Sequence, residues 1–194
     1  MVTIIEKHLP IPGELIERMK ATQQNPRYHA EGNVYNHTLL VLNNFQAHAY
    51  EFELSEEDRE VLYWACVLHD IGKPEVTKFQ NGRWVATGHE AAGVPLAKEI
   101  LLQHPEISEQ QRDRILDLVR WHFVPLRWGL KRADIQEYRQ LSLQTDLRLL
   151  GIFAYFDVLG RLCEQKPMVL AIIRHFNEYI AVSYTHLRAH ETSE

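Results

Sequence analysis

Five segments of this chain carry side chains that bind divalent cations. His37 lies in "VYNHTLLVL", His69 and Asp70 in "LHDIGKPE", His89 in "TGHEAAG", His122 in "RWHFVP" and Asp157 in "YFDVLGR". Imidazole nitrogen and carboxylate oxygen together suit first-row divalent metals such as Mn, Fe, Co, Ni or Zn. Several of these residues fall on apolar faces. His37 aligns with Leu40, Val41 and Phe45, His69 with Leu62, Ala65 and Cys66, His122 with Ile115, Leu118 and Val119, and Asp157 with Leu150, Phe153 and Ala154. Steps of three and four residues are neighbours on one side of a helix, so four helices aim an ionisable group inward. Taken singly, an inward histidine is commonly a hydrogen-bonded core residue. A buried carboxylate without a cation or donors is costly, or it protonates. One cation at which these groups meet accounts for all of them together.

The adjacent pair His69-Asp70 sits where an apolar run stops. Neighbouring residues inside a regular helix point about 100° apart and do not face each other. At a helix end that constraint lapses, so His69 can stay on the inner face while Asp70 turns towards the same cation. Gly72 is expected to permit the turn and Pro74 to keep the helix from resuming. A Schellman-type stop with a chance His-Asp pair is the plain alternative.

The elements that must position these residues are nearly all helical by periodicity. Helices are expected over about 14–24, 35–50, 55–70, 89–103, 108–122, 131–140, 144–163 and 167–180. Ser55 and the Ser108/Gln111 pair read as N-terminal caps. Asn81-Gly82 between short β-prone runs predicts a small hairpin. "FVPLRWGLKRAD", with Pro125 and Gly129, reads as a loop. The fold class is therefore all-α, a helical bundle with one β-hairpin, in a single domain over 1–181.

The chain has 194 residues and a formal charge of −5, which argues against a surface that grips nucleic acid along its whole length. Two cysteines in apolar patterns, Cys66 and Cys163, read as reduced core residues and make the cytoplasm the natural compartment. No signal peptide or membrane span is expected. The stretch "VSYTHLRAHET" (182–192) matches, codon by codon, a sequencing-library transposon adapter read as protein. Residues 182–194 are accordingly read as an adapter scar, or else a disordered tail, and the natural chain then has room to continue beyond them.

The ordered set of His37, His69-Asp70, His89, His122 and Asp157 resembles the HD superfamily of metal-dependent phosphohydrolases over about Asn25 to Glu164. "YHAEGNVYNHTLLVL", "LHDIGKP", "GHEAAGV" and "DVLGR" are most similar to the HD domains of bacterial CCA-adding tRNA nucleotidyltransferases. The chain also resembles HD domains fused ahead of a polynucleotide kinase in bacterial RNA-end-healing proteins, and its C-terminal end leaves room for such a kinase-like domain. No nucleotidyltransferase head is expected ahead of the match. The resemblance implies two divalent ions, drawn from Mn, Co, Ni, Fe, Mg or Zn. It implies that His37, His69, Asp70 and Asp157 hold one and that His89 and His122 hold the second, with Asp70 bridging. Metal-activated water would then hydrolyse a phosphoester without a Ser or Cys nucleophile.

Other residues are candidates of a second rank. Lys73 reads as a phosphate contact or an exposed helix-end lysine, Glu90 as an orienting carboxylate or a first-turn charge. Arg161 reads as a phosphate contact or a partner for an acid such as Glu164, and His29 as a pocket residue or a plain loop histidine. Arg127, Trp128, Lys131 and Arg132 read as a basic, aromatic rim for base and phosphate, or as a solvated loop. The expected substrates are nucleotides or RNA ends carrying a 2′-phosphate or 2′,3′-cyclic phosphate, with short ends serving nearly as well as long ones. A 5′-nucleotidase-type hydrolase, a di-iron HD oxygenase and a non-catalytic nucleotide sensor are the alternatives. The oligomeric state is left open.

Overall fold

A computed structural model describes residues 9–131 and 133–191, with side chains described up to Val182. The helices are α1 (Gly13–Ala21), α2 (Val34–His48), α3 (Glu56–Leu68), α4 (Lys73–Val76), α5 (His89–Leu101), α6 (Glu109–Trp121), α7 (Val124–Lys131), α8 (Ile135–Ser142), α9 (Leu147–Gly160) and α10 (Lys166–Glu191). Strands β1 (Lys78–Gln80) and β2 (Arg83–Val85) pair antiparallel across Asn81-Gly82. Asn81 and Gly82 both have positive φ, as a two-residue hairpin turn requires. Among the described residues, the chain thus forms the expected all-α bundle with one hairpin.

Helix α9 is the axis of the bundle. It is buried nearly all round, on Leu149, Leu150, Phe153, Ala154, Phe156 and Val158 among others, the pattern of a helix enclosed on every side. Helices α2, α3, α6, α7 and α10 surround it. Two of its glycines allow close packing. A Cβ on Gly160 would lie 2.8 Å from the backbone nitrogen of Val41, so its absence lets α2 and α9 touch. That contact brings His37 and Asp157 face to face. Gly151 meets the side chain of Asn177 on α10 in the same way.

Caps set the helix starts. Ser55 accepts from the Asp58 N–H at 3.0 Å, and Ser108 with Gln111 forms a complete capping box. Asp134 with Glu137 forms another, which places the start of α8 later than periodicity suggests.

Several sequence expectations are corrected. Residues 124–131 are helix, not loop. Pro125 lies in the first turn, where its missing N–H costs nothing, and Gly129 is a packing residue whose Cβ would strike Ile172 at 2.2 Å. Pro74 likewise falls in the first turn of a short helix, α4. Gly72 has φ −81°, so it is not a left-handed turn residue and no Schellman stop forms. Helix α10 continues through Glu191, across most of the segment read as an adapter scar or a disordered tail; neither Gly nor Pro interrupts 182–191. Residues 192–194 lie outside the described residues.

The expected aromatic rim is also redrawn. Trp128 is buried and packs edge-on against Tyr138 at 5.0 Å, and it does not line the site cavity described below. Lys131 pairs with Glu137, and Arg132 lies outside the described residues. Trp128 is therefore a core residue. Trp128→Ala is expected to lower stability by about 3 kcal/mol or more in urea denaturation, the usual cost of deleting a buried tryptophan. Unchanged stability with a raised KM would restore its role as a stacking platform.

Candidate metal centre

Three histidines reach the site from helix ends. His69 caps the C-terminus of α3, His122 caps α6, and His89 opens α5 after Gly88, whose φ is +83°. Each ring is tied by Nδ1 to a backbone carbonyl three residues earlier: His69 to Cys66 at 3.1 Å, His89 to Ala86 at 2.8 Å and His122 to Val119 at 2.7 Å. A carbonyl only accepts, so Nδ1 carries the hydrogen and Nε2 presents its lone pair. All three Nε2 atoms turn to Asp70. They lie 3.2 Å (His69), 3.3 Å (His89) and 3.8 Å (His122) from its carboxylate oxygens. Asp70 lies beyond the end of α3, as the helix-end argument requires.

These atoms suit a cation. The Nε2 atoms of His89 and His122 are 3.0 Å apart, two acceptors facing one another. Two ligands about 2.1 Å from one ion at right angles stand about 3.0 Å apart. A proton is a poor substitute, because burial, with His89 and His69 alongside, pushes His122 down to about 3. Among the described residues, the buried Nε2 of His69 has no hydrogen-bond partner. Such an orphaned atom calls for a ligand.

Asp70 joins two sets of donors. Those of Asp70, His89 and His122 form one close group and those of His37, His69 and Asp70 another, each within 4.8 Å. Asp157 stands beside the second group, its Oδ1 2.9 Å from His37 Nε2. Burial would raise the Asp70 carboxyl, yet His69 and Lys73 hold it well below the usual carboxylate range. Asp157 is lowered likewise against burial, chiefly by Arg161 and His37. Burial would lower His37, but Asp157 and Glu31 raise it above its ordinary value.

Glu31 is a buried residue beside the site that periodicity does not mark. Its side chain is fully buried, 2.8 Å from His29 Nδ1 and 2.9 Å from His37 Nδ1, and it accepts from the Leu162 N–H at 2.9 Å. The His37 contact is close but not aligned as a hydrogen bond. With His29 and His37, Glu31 forms a third close group of donors, and its oxygens meet the His29 ring and the Leu162 N–H. It sits in a loop, where no periodicity marks it.

Lys73 is buried rather than exposed. It donates to Asp70 at 2.6 Å and to Gln24, also unforeseen, at 2.7 Å. Arg161 donates to Asp157 at 2.5 Å rather than to Glu164. His29, Lys73 and Arg161 line one cavity of about 430 Å³ with Asp70, His89 and His122. Glu90 approaches His89 Nδ1 to 3.4 Å but lines the groove outside this cavity, together with Arg127. Cys66 is buried and its thiol is pushed well above its ordinary value by that burial, so it offers no thiolate.

Residues 34–162 match the HD domain family. The chain belongs to the HD domain family. It is also 26% identical over 156 residues to a multifunctional CCA protein from Alkalilimnicola ehrlichii, covering 80% of this chain and 32% of that protein. The chain thus spans about a third of the length of this relative. Both findings bear out the resemblance to the HD superfamily and to the HD domains of CCA-adding proteins. HD domains bind divalent metals and are in general metal-dependent phosphohydrolases, and the His/Asp groups here supply donors of that kind. Among the described residues, no helix is long and apolar enough to cross a membrane.

Proposed function

We propose that this HD domain hydrolyses phosphate esters at nucleotide or RNA 2′-phosphate and 2′,3′-cyclic phosphate ends, with two divalent ions sharing Asp70. One observation carries the reading: the anionic Asp70, ringed by imidazole nitrogens with free lone pairs, shares a cavity with the cationic side chains of Lys73 and Arg161. His37, His69, Asp70 and Asp157 would hold one ion, and Asp70, His89 and His122 the other. Bound there, divalent ions supply an activated water and neutralise phosphoryl charge.

The protein's own groups do the rest. Lys73 and Arg161 orient phosphoryl oxygens by charge-assisted hydrogen bonds. Carbonyls of Cys66, Ala86 and Val119 hold the rings in one tautomer. His29, held neutral by burial that lowers it to about 3, donates to Glu31 through Nδ1 and keeps its other nitrogen free for substrate. The free cysteines fit a reducing cytoplasm.

Rates on matched 2′-, 3′-, 5′- and 2′,3′-cyclic adenosine monophosphates, with Mn, Co, Ni, Mg or Zn added, test this. The cyclic and 2′ esters are expected to lead. A clear preference for the 5′ ester would make the protein a nucleotidase instead, and oxygen consumption by an iron form would favour the oxygenase alternative. Tight binding without turnover under every metal would make it a sensor.

A further inference from the structure

The site cavity adjoins a second hollow. This outer groove, about 440 Å³, shares Tyr28, His29, Lys73, His89 and Phe123 with the inner cavity, so the two lie side by side along these residues. Its far wall is the hairpin, through Arg83 and Trp84, with Arg127 of α7 nearby. With Lys73 paired to Asp70, Arg83 and Arg127 against Glu90 still leave it cationic, in a chain whose net charge is −5. Among the described residues, neither Arg83 nor Arg127 has a side-chain ion pair or hydrogen bond. Aromatic surface is exposed beside them: Tyr28 is 39% and Phe123 37% accessible, and Trp84 is half-buried with Phe79 edge-on behind it at 5.1 Å.

The hairpin adds nothing to the core. No residue from Lys78 to Val85 is buried, and β1 is exposed throughout. A lone two-stranded hairpin is marginal in water. What it contributes is the wall of this groove.

We propose that the groove is a second nucleotide subsite. Resting on the phosphoesterase reading, it would hold the nucleotide that precedes the reacting terminus. Trp84 or Tyr28 stacks on the base, and Arg83 and Arg127 take the internucleotide phosphodiester. The preferred substrate is then a polynucleotide end with a footprint of two nucleotides, not a free mononucleotide.

The test compares kcat/KM for adenosine 2′,3′-cyclic phosphate with that for the dinucleotide ApA and the trinucleotide ApApA bearing the same end, using the full chain with its activating metal. The dinucleotide is expected to be favoured about tenfold, the worth of one stacked base, with no further gain for the trinucleotide. Trp84→Ala should erase most of that ratio, Trp84→Phe should keep it, and Arg83→Gln, at an exposed position, should reduce it without a folding penalty. Equal kcat/KM for one and two nucleotides would overturn the subsite while leaving the phosphoesterase reading intact. If no ester is turned over, equilibrium titration with ApA 3′-phosphate and 3′-AMP makes the same comparison. Tenfold tighter dinucleotide binding would support the subsite even then, and equal affinity would overturn it.

Discussion

Changing Asp70 to asparagine is expected to reduce phosphoester hydrolysis by more than about a hundredfold and to release metal, while the helical fold persists. Groups that merely orient a metal ligand cost roughly 10- to 100-fold when lost, and Asp70 is the carboxylate common to both donor groups. Its oxygens stand between the Nε2 atoms of His69 and His89, at 3.2 and 3.3 Å. Asparagine keeps the shape but brings an amide in place of one anionic oxygen. His89→Ala should do less, since it removes a donor from one group only. Circular dichroism separates loss of site from loss of fold. Full activity with unchanged metal content in Asp70→Asn would sink the assignment.

Gly72→Ala should damage the site as severely, though residue 72 is not among the proposed ligands. A Cβ there would lie 2.2 Å from the His89 carbonyl oxygen and 2.4 Å from the Gly93 nitrogen. Both are backbone atoms of α5, so no rotamer change relieves the overlap. Helix α5 must move, and His89 moves with it, breaking its 3.3 Å approach to Asp70 and its 3.0 Å approach to His122. Overpacking costs about 1–3 kcal/mol, and a backbone clash falls at the upper end. The expected result is a lowered Tm together with loss of metal at the His89 side. Gly13→Ala is the control, because nothing lies within 4 Å of its added Cβ. A Gly72→Ala protein with wild-type Tm and metal content would show that α5 tolerates the displacement.

Gly72 also marks where sequence reading reaches its limit. A glycine after a His-Asp pair suggests a turn needing positive φ, whereas its purpose is contact with a helix that begins well along the chain. Local pattern does not show tertiary contact. His37, His122 and Asp157 were legible because a helix repeats every three or four residues and an ionisable group on an apolar face stands out. Glu31 and Gln24 lie outside such faces and could not be found that way. Trp128 misled for the opposite reason: Pro125 and Gly129 suggested a loop, and a loop tryptophan among basic residues looks like a stacking platform. The aromatic surface beside the cavity instead comes from Tyr28, Trp84 and Phe123, in segments far apart in sequence.

The most direct test is metal analysis of the purified full chain by elemental mass spectrometry, before and after chelator treatment and after reloading with Mn, Co or Ni. A centre built around Asp70 predicts up to two ions per chain, loss of hydrolysis on stripping, and recovery in proportion to the metal restored, with Asp70→Asn holding little metal under any condition. Hydrolysis that survives complete stripping, or an Asp70→Asn chain that retains two ions, would contradict it.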